Sequence, residues 1–174
     1  VARLPGVTRV ITDKARLPEE LQAFGVTQMP DGIRRFDGHQ RAFVKVQDGC
    51  LLNCSFCIIP RVRPVLRSRP PRQIADEVAR LVAAGYQEIV LTGIHLGHYG
   101  IDLSRGRPKP DWQRLWHLLE MLDRLPGDFR IRLSSLEAAE VRGDLVEALA
   151  RSRRVCPHLH LCLQSGSDAV LRRM

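Results

Sequence analysis

With 174 residues, 44% of them hydrophobic, the chain is long enough to bury one core and a little more. Its formal net charge of +8 favours an acidic partner, RNA among them, although a basic surface that only keeps the protein in solution accounts for the same number. No apolar run approaches the ~20 residues that cross a bilayer, and the first residues have no signal-like stretch, so no membrane partner and a cytoplasmic location are expected.

Residues 7–11 read as a short strand and 18–24 as a short helix. Residues 25–40 are polar and glycine-bearing around Pro30, Asp31, Gly32 and Gly38, as in a linker. Regular alternation begins with a strand over 42–47. A helix over 73–84 follows, with Ile74, Val78, Leu81 and Val82 on one face and Gly85 closing it. Next come a strand over 88–92 and a helix over 111–125 carrying Leu115, Leu118, Leu119 and Leu122, stopped by Pro126 and Gly127. A strand over 129–134, a helix at 145–151 and a strand over 158–164 complete the series, and Ser167 can cap a last helix holding Val170 and Leu171.

Strand and helix alternating at this spacing imply an α/β fold with parallel βαβ units. The strands are not uniformly apolar, as a sealed parallel sheet would require. Val44, Val46, Ile131, Leu133, Leu159, Leu161 and Leu163 can face helices. Lys45, Gln47, Arg130, Arg132, Ser134, His158, His160 and Gln164 fall on the other side. A partly open barrel with a wet, ligand-holding lumen fits this alternation, and a sheet with one solvent-exposed face fits it too. The chain starts with Val and stops at Met174 just after a helix begins, so both ends read as cut.

The first long strand runs into Gly49-Cys50-Leu51-Leu52-Asn53-Cys54-Ser55-Phe56-Cys57, a C-x3-C-x2-C spacing. Three of the five cysteines are here, which suits metal ligation in a reducing compartment better than a disulfide framework. Three thiolates can hold three irons of a cubane cluster and leave the fourth iron open for a cofactor. Zinc is the competing metal, but a closed zinc site wants a fourth ligand; no Cys or His lies near enough in sequence to be an obvious one, and His95 or His158 would have to approach in space. Cys156 and Cys162 have no partner at any motif spacing and read as structural thiols. Arg61, Arg63, Arg67, Arg69 and Arg72 form a run broken by prolines, which spreads them along an extended loop. Phosphate contact by Arg63, Arg67 and Arg69 is one reading of that loop and a solvated surface the other.

This C-x3-C-x2-C loop, with Phe56 before the third cysteine at the end of a first barrel strand, resembles the radical S-adenosylmethionine (SAM) superfamily. Further runs are similar to its methylthiotransferases: Ile58-Ile59-Pro60 followed by Arg63, Arg67, Ser68, Arg69 and Pro70; Leu91 to Gly97 with Tyr99-Gly100; Arg132 to Glu137; and His158 to Leu161 leading into Gln164-Ser165-Gly166-Ser167. Residues 92–100 and 134–137 look most like the branch that modifies N6-threonylcarbamoyladenosine beside the tRNA anticodon. Sister branches act on isopentenyl-type adenosine or on an aspartate of a ribosomal protein. Pro64 and Cys162 depart from the family, which commonly has Gly and Pro there.

The resemblance implies a partial (βα) radical SAM barrel over 41–174, the first four or so βα units. It is preceded over 1–40 by a linker and the tail of an N-terminal domain, to which Leu4-Pro5-Gly6-Val7 and Lys14 are similar. It implies a 4Fe–4S cluster on Cys50, Cys54 and Cys57, and SAM contacted by Phe56, Thr92, Gly93, Ser134, Gln164 and Ser165. It further implies tRNA, through the anticodon stem-loop, as substrate and an electron donor such as flavodoxin or ferredoxin. A second 4Fe–4S cluster supplies sulfur in this family, yet no cysteine precedes Cys50, so the complete methylthiotransferase reaction is not expected of these residues alone. A non-catalytic, zinc-stabilised RNA-binding module is the reading from another class.

Overall fold

The computed structural model describes residues 2–13, 16–28, 32, 33, 35 and 38–174; Lys14, Pro30 and Asp31, singled out above, lie outside them. The chain divides into two compact units, Val1–Asp31 and Gly32–Met174.

In the first unit the described residues form one helix, α1 (Leu17–Gln22), which has Pro18 in its first turn and buries no side chain. Arg9 pairs with Glu20. The expected strand at residues 7–11 does not form: no described segment offers it a partner ladder, and unpaired extended backbone is not a strand.

The second unit is built on a four-stranded sheet in the order β2 (Arg67–Ser68), β1 (Arg41–Asp48), β3 (Glu88–Gly93), β4 (Arg130–Leu133). β1, β3 and β4 are parallel, and β2 runs antiparallel on the β1 edge. A smaller parallel pair, β5 (Leu136–Glu137) with β6 (Leu161–Cys162), follows β4. Register sorts the side chains by face. Ala42, Ile89 and Ile131 line up across the sheet, as do Val44, Leu91 and Leu133, and all six are at most 2% exposed. A short helix, α2 (Ile59–Val62), lies between β1 and β2. Against the apolar face pack α3 (Pro71–Ala83) through Ile74, Val78 and Leu81, and α4 (Leu115–Asp123) through Leu115, Leu118, Leu119 and Leu122. α5 (Asp144–Arg151) adds Leu145. Gly85, with φ +95°, closes α3 in the left-handed conformation that only glycine adopts at little cost.

The opposite face carries Arg41, Phe43, Lys45, Glu88, Val90, Thr92, Arg130 and Arg132, so the expected polar side of the sheet is present. One member was misplaced. A register shift between Lys45 and Gln47 turns Gln47 inward, where it is 1% exposed and braces the loop beyond.

Three elements differ from their sequence outlines. α4 starts at Leu115 rather than at residue 111, because the guanidinium of Arg114 donates to the Gly100 and Gln113 carbonyls and the Ser104 hydroxyl while its backbone stays extended. The strand foreseen over 158–164 pairs only at Leu161 and Cys162, and Leu159, Leu161 and Leu163 are exposed rather than set against helices. No described element covers that edge. Cys162 is accordingly half-buried, whereas Cys156 is buried beside β4. Ser167 precedes α6 (Asp168–Leu171) but its hydroxyl makes no capping bond.

Candidate functional site

Parallel strands carry their functional groups at their C-terminal ends, where loops rather than ladders consume the backbone. Here β1 ends at Asp48, β3 at Gly93 and β4 at Leu133, and the residues beyond them converge. Asp48 is the anchor of the first loop. Burial opposes its charge, but hydrogen bonds from Lys45, Arg63 and the Gly49 amide hold its carboxyl down to about 2. Gly49 follows with φ +78°, and a Cβ there would collide with the Val65 carbonyl. The chain therefore turns through Gly49 directly into Cys50.

Cys50, Cys54 and Cys57 are all free and half-buried, in a loop closed by the Cys57 amide donating to the Cys54 carbonyl at 3.0 Å. Phe56 points away from the core and is 60% exposed. Burial pushes the Cys50 thiol up, and the neighbouring Cys54 and Cys57 push it further, so without a cation the thiol form is favoured. Three free thiols in one short loop can ligate iron or zinc.

Gln47 ties this loop to the end of β3. Its side-chain amide donates to the carbonyls of Asp48 and Gly49, and its Oε1 accepts the His95 amide at 2.9 Å. Gly93 faces Gln47 so closely that a Cβ would not fit. Thr92 Oγ1 lies 3.4 Å from the Val44 carbonyl. Beyond β4, the Ser134 amide donates to the Leu91 carbonyl, while Ser134 Oγ is buried without a partner among the described residues. Gln164 adopts φ +61° and its side-chain amide donates to Glu137; Ser165 Oγ accepts the Ser167 amide. Both thus occupy local bonds at the β5–β6 end.

The basic loop divides in two. Arg63 is bound to Asp48 and Arg69 to the buried Glu77, at 2.7 and 2.6 Å, so both brace the fold. Arg61, Arg67 and Arg72 are the exposed members.

His98 and Glu140, which the sequence did not single out, join His95 at this end of the sheet. His95 lies with Nδ1 3.4 Å from Cys50 Sγ and Nε2 2.6 Å from Glu140 Oε1. His98 stacks on it, and burial together with the adjacent His95 favours its neutral form. Of the two histidines named above as distant ligands, His95 arrives at the loop, while His158 is an exposed residue before β6. The signal available for His95 was its place two residues past a strand end. Nothing in a single sequence brings Glu140 to it.

The model of the radical SAM superfamily matches residues 44–174. Over 93% of its length the chain is 43% identical to the threonylcarbamoyladenosine tRNA methylthiotransferase of Chlamydia pneumoniae, and over 97% it is 42% identical to that of Bacillus subtilis. It is 36% identical over 95% of its length to the tRNA-2-methylthio-N(6)-dimethylallyladenosine synthase of Carboxydothermus hydrogenoformans. The chain spans about a third of the length of these relatives, 34–36%. In fold it is similar to TsrM, a radical S-adenosylmethionine methyltransferase from Kitasatospora setae, with a TM-score of 0.57 and 17% identity over 75% of this chain and 23% of that one. The chain belongs to the radical SAM superfamily, which implies a 4Fe–4S cluster and S-adenosylmethionine as its cofactors.

Proposed function

We propose that this chain is the cofactor-binding part of a tRNA methylthiotransferase acting on C2 of N6-threonylcarbamoyladenosine. The observation that carries the reading is the placement of three free thiols, Cys50, Cys54 and Cys57, in one loop at the C-terminal ends of parallel strands. The donor set fits a cluster with three protein ligands and one open iron. Ser134 Oγ, buried without a hydrogen-bond partner among the described residues, is open to a ligand, and with Thr92 and Gly93 it offers a cradle for SAM. Phe56, projecting from the loop, is suited to stack on the adenine. Gln164 and Ser165 extend the cradle if their local bonds are exchanged for ligand contacts.

The chemistry that a reduced cluster and SAM would supply together is one-electron reductive cleavage of a sulfonium C–S bond, releasing methionine and a primary carbon radical able to take hydrogen from adenine C2. The protein has to position the adenine and exclude water and stray side chains. The polar face of β1, β3 and β4 provides the wall, and exposed Arg67, with Arg61 and Arg72, supports phosphate contact. Arg63 and Arg69 serve first as braces for the loop. A second cluster as sulfur source would take ligands from outside these residues, because Cys50 is the first cysteine. An electron donor such as flavodoxin or ferredoxin and a cytoplasmic setting complete the proposal; no described helix is long and apolar enough to cross a membrane.

The threonylcarbamoyl branch is preferred over the dimethylallyl branch on likeness, 42–44% against 36–39% identity. The test uses the reconstituted chain, dithionite, SAM and anticodon stem-loops deuterated at C2 of the modified adenosine. Deuterium is expected in 5′-deoxyadenosine from the threonylcarbamoyl substrate, without methylthio product. Transfer only from the dimethylallyl substrate would reassign the branch.

A further inference from the structure

Behind Cys50 lies a set of side chains that a cluster on the three cysteines does not use. His95 Nδ1 is 3.4 Å from Cys50 Sγ. The His98 ring stacks on His95 with centroids 3.7 Å apart and planes 8° from parallel. Glu140 Oε1 faces both rings, 2.6 Å from His95 Nε2 and 3.5 Å from His98 Nε2. Gly97 leaves room for this carboxylate, since a Cβ there would strike it. His98 Nδ1 is buried and has no hydrogen-bond partner among the described residues. The sulfur of Cys50 and one nitrogen of each imidazole lie within 4.8 Å of one another.

A carboxylate accepting from Nε2–H fixes the tautomer of a histidine and leaves the Nδ1 lone pair for a metal, the arrangement found behind metal-bound imidazoles. For a tetrahedral zinc-class ion, bond lengths of about 2.0–2.3 Å place ligand atoms about 3.3–3.6 Å apart, the separation already seen between Cys50 and His95; the His98 ring, stacked parallel to His95, has to turn off that stack to aim its own lone pair at the ion. A purely structural histidine pair would leave no reason for a buried nitrogen without a partner, which is costly. We propose that Cys50, His95 and His98, with Glu140 behind them, form a site for a zinc-class divalent ion, filled when the cysteine loop carries no cluster.

The two metal states exclude one another because both need Cys50. The divalent site uses neither Cys54 nor Cys57, so it holds the first cysteine as a thiolate while the other two stay free. An ion there would block cluster assembly until removed, making the balance of zinc-class ions and iron a control on this domain.

The test is anaerobic titration of the metal-free Cys54→Ser/Cys57→Ser chain with Co2+. One cobalt per chain is expected, with tetrahedral d–d bands and a thiolate-to-cobalt charge-transfer band that disappears when Cys50→Ser is added. His98→Ala is expected to weaken binding more than about tenfold, and Glu140→Gln by about 10–100-fold. No charge-transfer band in the double variant would overturn the proposal, as would His98→Ala binding cobalt as tightly as its parent. Circular dichroism verifies folding. If His98→Ala is unfolded, Glu140→Gln decides by the same criterion, unchanged affinity overturning the site. Iron–sulfide reconstitution of the unmutated chain reports separately on the cluster, so either reading can fail without the other.

Discussion

Gly49 and Gln47 do more to place the cysteines than any group that would touch iron. At Gly49 a positive φ and the Val65 carbonyl both forbid a side chain. Gly49→Ala is therefore expected to cost about 1–3 kcal/mol and to lower the iron bound per chain, measured by urea unfolding and iron assay. Gln47→Leu removes the acceptor of the His95 amide and the donor to two loop carbonyls. Leaving such groups unpaired costs about 1–3 kcal/mol, and faster exchange of the His95 amide would register it. At this scale the gathering of three cysteines in one loop was legible from spacing, because they lie within eight residues. Gln47 was misread as a lumen residue because strict alternation has no provision for the irregularity after Lys45. Of the Glu140–His95–His98 group only His95 was named from the sequence, since its members come together only through the fold.

Among elements, β3 is the one on which the others depend, paired on both edges and buried along most of its length. Leu91→Ala should cost about 2–5 kcal/mol by leaving a cavity between sheet and helices. Glu88, at the start of β3, binds the guanidinium groups of Arg130 and Arg132 and lies 3.2 Å from that of Arg41. The hydrogen bond from Arg132, followed by that from Arg130, outweighs burial and holds the Glu88 carboxyl down to about 2. Its stabilising effect is present above the ordinary value of 4.5 and is lost as pH falls toward about 2. Urea midpoints should therefore drop between pH 5 and 2 less steeply in Glu88→Gln than in the unmutated chain. The helices and first three parallel strands were legible because each repeats its apolar spacing over several turns or pleats. The strand over 158–164 was overdrawn: alternation marks which faces a segment has, not whether anything covers them.

At the scale of the molecule, net charge, loop and sheet face point to one surface at the strand ends where a polyanion could meet a metal centre. The basic character was visible in composition, but its division was not. Arg63 and Arg69 are committed to Asp48 and Glu77, so Arg67→Ala should reduce RNA affinity and lower the salt slope by about one, with little effect on stability. What the three cysteines bind decides the function of this surface. Iron and 5′-deoxyadenosine measured on the same anaerobically reconstituted, dithionite-reduced sample address this directly. About four irons per chain are expected, with SAM cleavage that vanishes in Cys54→Ala. Cleavage that persists in Cys54→Ala, or a chain that takes up no iron, would contradict it.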